Sequence, residues 1–151
     1  MDAVTYPDEG VTNFIMEQTI PLRLPYDHEP YAEKFEIRWT PSLIILDSEG
    51  NEAYRSVGFV PPDELIPMLK LGEGKGHFAA GRYENAIDAF DFVIGQYPKS
   101  KAAAEAIYYR GVSRYKHTDN PKPLREAYDK LAAEYPDAEW TKKAYPYRLI
   151  D

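Results

Sequence analysis

Apolar positions follow one rhythm in the first half of the chain and another in the second. Up to about residue 71 they come as short β-branched or aliphatic runs cut by prolines, at residues 19–24, 42–47 and 52–57. Such runs predict strands. Leu43, Ile44, Ile45 and Leu46 are apolar at every position, the pattern of a strand covered on both faces, whereas residues 52–57 alternate only weakly, as an edge strand does. Asp47, Ser48, Glu49, Gly50 and Asn51 between them predict a hairpin loop, with Gly50 free to take positive φ. Two helices are predicted around these strands. One covers residues 28–35, with Asp27 as N-cap and Pro30 in its first turn. The other covers residues 61–71, with Pro62, Asp63 and Glu64 in the first turn, where the helix dipole favours them.

Beyond Gly72 the spacing becomes three and four. Tyr83, Ala86, Ile87, Phe90, Val93 and Ile94 form one helical stripe, and Ala104, Tyr108, Gly111, Val112 and Tyr115 form another. Pro98 and Pro136 stop helices, because proline cannot continue the hydrogen-bond ladder and biases its predecessor away from α. The pattern also repeats. Ala89, Phe90, Asp91 and Tyr97-Pro98 fall in register with Ala127, Tyr128, Asp129 and Tyr135-Pro136, an offset of 38 residues that also carries Ala106 onto Ala144 and Tyr109 onto Tyr147. A period in this range predicts stacked helical hairpins, each burying one face on the next. The expected architecture is therefore α/β over residues 1–71, then an all-α hairpin array over residues 72–151, packed together through the helix that begins near Pro62.

Composition narrows the chemistry. The 151 residues contain no cysteine, so they supply no disulfide, zinc–thiolate site, thiol nucleophile or C-x-x-C pair. Residues 1–71 carry 5 basic and 13 acidic side chains and residues 72–151 carry 13 and 12, giving the net charge of −7. This acidic balance argues against nucleic-acid binding. No apolar run approaches the ~20 residues of a membrane span, and Met1, Asp2, Asp8 and Glu9 do not begin a signal peptide, so the expected location is cytoplasmic without membrane attachment. His28, His77 and His117 lack the spacing of metal ligands, carboxylates such as Asp27, Glu29 and Glu33 form a solvated face, and no nucleophile elbow or phosphate loop is present. No catalytic residue, metal or cofactor is expected.

At Gly74, Gly81, Tyr83, Ala86, Phe90 and Pro98 the chain resembles a tetratricopeptide repeat, and a second, divergent unit carries Leu124 and Tyr128 where Ala and Phe are usual. Trp39, Thr40, Pro41, the run 42–46, the hairpin at Gly50 and then Val57, Gly58 and Phe59 resemble the carboxy-terminal two thirds of a thioredoxin-like domain. The resemblance implies a bacterial protein, a truncated mixed sheet and a cis Thr40–Pro41 bond. It also implies that the family's first strands and C-x-x-C would lie upstream of Met1. In that family the absent second strand sits between the strands at 19–24 and 42–46. Its loss implies an open sheet that makes the chain unstable or self-associating.

Two surfaces are candidates for function. The resemblance implies that Trp39, Thr40 and Pro41 offer backbone groups to an extended peptide. Nine of the 13 tyrosines lie beyond Gly72. Placing Gly111 at the small position of its helix sends Tyr108, Val112, Tyr115 and Lys116 toward the concave side, with Lys75 and Phe78 from the preceding unit, as a groove for a protein or peptide partner. The expected function is a non-catalytic binding and assembly module; the alternative is a fragment of a thiol-disulfide oxidoreductase.

Overall fold

A computed structural model describes all 151 residues. The helices and strands follow the local signals closely wherever hydrogen bonds stay local. Helix α1 (Glu9–Gln18) is capped by Asp8, whose carboxylate accepts the Val11 N–H at 3.0 Å. Strands β1 (Ser42–Leu46) and β2 (Glu52–Val57) form an antiparallel hairpin with Ser42 opposite Val57 and Ile45 opposite Tyr54. Gly50 turns it at φ 81°, and Asp47 accepts the Asn51 N–H, the Asn51 side-chain amide and the Glu49 N–H, which together hold its carboxyl below the usual range.

The first half nevertheless differs from expectation: α1 lies where no helix is predicted, and three predicted features change. Residues 19–24 form no strand, and the sheet has two strands only. Strand pairing needs a neighbour, and these residues have none within bonding distance. The helix expected at 28–35 contracts to one turn, α2 (Tyr31–Lys34), with Pro30 rather than Asp27 at the N-cap and no side-chain cap bond. β1 is not covered on both faces: its residues are half-buried and Leu46 is 44% exposed, because one face and one edge look into an open cavity. The Glu29–Pro30 and Thr40–Pro41 peptides are both cis.

Helix α3 (Pro62–Ala79) does not stop at residue 71 but runs on through Gly72, Gly74 and Gly76. These glycines explain how one helix serves two layers. A Cβ at Gly72 would strike the Ile45 and Tyr54 side chains, and one at Gly76 would lie 3.1 Å from the Ala53 Cβ, so this side of α3 receives the hairpin closely. A Cβ at Gly74 would lie 2.5 Å from the Phe90 ring, on the side that receives the next helix. The sheet and the helical array thus share α3 as a common wall. Val11, Val60, Leu65 and Met68 form the core beneath the hairpin, where the buried Thr5 hydroxyl donates to the Val60 carbonyl at 2.7 Å.

The array continues with α4 (Tyr83–Gln96), α5 (Ala102–Thr118), α6 (Lys122–Glu134), α7 (Glu139–Ala144) and a 3-10 turn at Tyr145–Leu149. α4 and α6 end just before Tyr97-Pro98 and Tyr135-Pro136. Leu71, Ala86, Phe90, Val93, Ala102 and Ala106 fill the space among α3, α4 and α5; Ile107, Ala127, Leu131 and Ala144 fill the next layer. Gly111 lies against α6, where a Cβ would meet the Ala127 Cβ at 2.6 Å. The Tyr135 hydroxyl donates to the Pro98 carbonyl, joining the two equivalent stops. Glu64 on α3 accepts the Lys101 N–H at 3.0 Å, placing a carboxylate at the positive start of α5 and tying the two parts together.

Candidate functional site

The packing of α5 decides which of its faces is open. Gly111, Ala104 and Ile107 face α6, and Ala102 and Ala106 face α3 and α4; between these two packed sides Glu105, Tyr109, Val112 and Lys116 run along α5 at helical spacing, with Tyr108 on the margin toward α6 and α7. Tyr115 lies at the margin of this face.

Half of the expected groove residues are already engaged within the chain. The Lys75 ammonium pairs with Glu105 at 2.6 Å and stands 5.0 Å from the Tyr109 ring and 5.1 Å from that of Tyr54. Both partners of this pair are largely covered, so the rings around it contribute cation–π attraction in place of water. Phe78 packs edge-on to Tyr109 with ring centroids 5.6 Å apart. Tyr108 lies against Trp140 at 5.2 Å and stacks on Tyr147 at 5.9 Å, the two hydroxyls 3.1 Å apart. Lys75, Phe78 and Tyr108 therefore belong to one continuous aromatic layer crossing α3, α5 and the terminal helix. Val112 and Tyr115, half-buried, and the exposed Lys116 continue along the same side of α5 beyond that layer.

Sequence reasoning left out Tyr54, Glu105, Tyr109, Trp140, Lys143 and Tyr147, which complete the surface. The 38-residue offset linking Tyr109 to Tyr147 was a usable signal for two of them, and the four-residue step from Glu105 to Tyr109 for a third. Nothing in the linear order brings Tyr54 of β2 to Lys75. Lys143 lies 4.1 Å from the Trp140 ring and pairs with Glu139 at 2.8 Å; that hydrogen bond raises its pKa, and the Glu105 charge adds to the effect.

Burial, and then the hydrogen bond that it shares with Tyr108, push the Tyr147 hydroxyl well above the ordinary tyrosine range. Its folded pKa exceeds its unfolded one, so its contribution to stability is complete below pH ~10 and fades as pH climbs toward the folded value. The melting temperature should accordingly fall less steeply between about pH 10 and pH 11 in Tyr147→Phe than in the parent chain, a comparison made by thermal melts across alkaline buffers.

The other candidate loop is differently placed. Trp39 is 70% exposed and Thr40 is exposed, at the end of the hairpin opposite its turn. The Trp39 carbonyl accepts the Ser42 hydroxyl at 2.6 Å and the Pro41 carbonyl accepts the Gly58 N–H at 2.8 Å. An incoming peptide would find those two acceptors occupied, which makes the loop a poorer strand-addition edge than its exposure suggests.

No helix is long and apolar enough to cross a membrane. Comparison with family models matches a thioredoxin-like domain over residues 4–73 and a tetratricopeptide repeat over residues 68–100 and 105–138. No curated protein and no solved structure matches the chain.

Proposed function

In a chain that is a thioredoxin-like domain followed by tetratricopeptide repeats, we propose that the repeats recruit a protein partner and that the thioredoxin-like part anchors them without taking part in thiol chemistry. The observation that carries this reading is the continuity of the α5 face. A rigid, internally satisfied aromatic layer at Tyr108, Tyr109 and Trp140 leads directly into Val112, Tyr115 and Lys116, which enter no such ring stack. Side chains held by a packed support lose little entropy on contact, and tyrosine offers a broad apolar surface with a polar tip. The lack of cysteine in these 151 residues supports an anchoring role for the Trp39–Thr40–Pro41 loop.

The test is selection of a display library of random peptides on the intact chain, followed by affinity measurement against Tyr115→Ala. Enriched peptides should lose about tenfold or more in affinity, the size of a hot-spot contact. Peptides that bind the variant as tightly as the parent, or a selection that enriches none, would count against this reading.

A further inference from the structure

β1 keeps one unpaired edge. The Pro41 carbonyl accepts from Gly58 at 2.8 Å and the Asp47 N–H donates to the Asn51 carbonyl at 2.9 Å, so the odd-numbered positions between them turn their backbone groups toward β2. Ser42, Ile44 and Leu46 turn theirs outward, and no further strand meets them. They end at a cavity of about 1860 Å³.

Residues 19–25 line the same cavity and are the converse of that edge. Thr19 is extended, and Ile20 and Leu24 each precede a proline, which biases them to extended backbone. None of the N–H groups from Ile20 to Asp27 donates to another backbone group. Ile20 is 98% and Leu22 74% exposed, where single isolated apolar side chains would be unremarkable but an alternating, unbonded row is not. Pro21 has no N–H, so this segment can donate a ladder only from the edge carrying residues 20, 22 and 24. Three outward backbone units therefore stand on the segment and three on β1. Within one molecule they are held apart: Thr19 is bound back to the Ile15 carbonyl through both its N–H and its hydroxyl, and Arg23 grips Asp2 at 2.7 and 3.0 Å.

We propose that the two are matching halves of an interface between two copies of this chain, residues 20–24 of one copy pairing along the β1 edge of the other. A two-fold axis satisfies both segments and both edges at once, which no single-sided partner does. Pairing also covers Ile20 and Leu22.

Light scattering across a concentration series should show a dimer in the parent chain. Leu22→Pro removes one N–H from the pairing edge at a site with no bond to lose in the monomer; far-ultraviolet circular dichroism should show its helices intact while its dimer dissociates about tenfold or more readily. The chain has no cysteine of its own, so Leu22→Cys and Ile44→Cys copies, mixed and oxidised, should form a cross-linked heterodimer in clear excess over Leu22→Cys mixed with Asp137→Cys. A monomer throughout the series, a dimer indifferent to Leu22→Pro, or no excess of the 22–44 cross-link would each overturn the proposal. Tyr115→Ala should leave the dimer unchanged, so failure here and failure of the peptide-binding reading are separate outcomes.

Discussion

Replacing Phe90 with alanine is expected to cost about 3–5 kcal/mol of folding stability, measured as a fall in the urea midpoint at unchanged slope. Phe90 is completely buried among Leu71, Ala86, Val93 and Ala106, with the Tyr109 ring 6.1 Å away. It is thus the side chain on which α3, α4 and α5 all close, and no neighbour is free to refill its place. The partner in this contact is Gly74, whose missing Cβ leaves room for the ring. Gly74→Ala alone should destabilise, because overpacking costs ~1–3 kcal/mol against ~1 kcal/mol gained in helix propensity. Made on Phe90→Leu, the same change should cost about 1 kcal/mol less, since the shorter side chain yields the space. An identical cost in both backgrounds would mean that the ring does not limit residue 74.

Gly111→Ala and Gly95→Ala should move stability in opposite directions. At Gly111 the new methyl would meet the Ala127 Cβ at 2.6 Å and the Pro123 carbonyl oxygen at 3.0 Å, neither of them the tip of a flexible side chain. α5 and α6 must then separate, at a cost of ~1–3 kcal/mol that outweighs the propensity gain. At Gly95, exposed near the end of α4, nothing lies within 4 Å, and alanine should contribute about 0.5–1 kcal/mol. Thermal melts of the two variants give the signs. The Gly111 result bears on function as well, because the seating of α5 on α6 aims Val112 and Lys116 toward the open face. A Gly111→Ala chain more stable than its parent would show that α5 does not sit this close to α6.

The helices of the second half were legible because each signal was local. A stripe at three-and-four spacing and a Tyr-Pro stop are satisfied within one or two turns, the 38-residue offset repeats both, and α4, α5 and α6 lie where those signals put them. The hairpin was legible for the same reason: Asp47 and Gly50 make its turn with partners no more than four residues away. The candidate surface was legible by half. Gly111 indicated how α5 is seated, but Glu105 and Tyr109 lie beside the predicted residues too, and Tyr54 and Trp140 come from elements that are neighbours only after folding. Composition could not show that Lys75 is spent on Glu105.

Period, proline placement and repeat offset, all present in the linear order, determined that this chain would be a short α/β part followed by helical hairpins. Whether residues 19–24 became a strand was decided only in three dimensions, since a strand's hydrogen bonds lie entirely outside its own segment; with no neighbour in reach they remained unpaired. The continuation of α3 past Leu71 was decided there as well. Its glycines are poor helix formers, and they are helical because the hairpin on one side and Phe90 on the other both require the space that a side chain would fill.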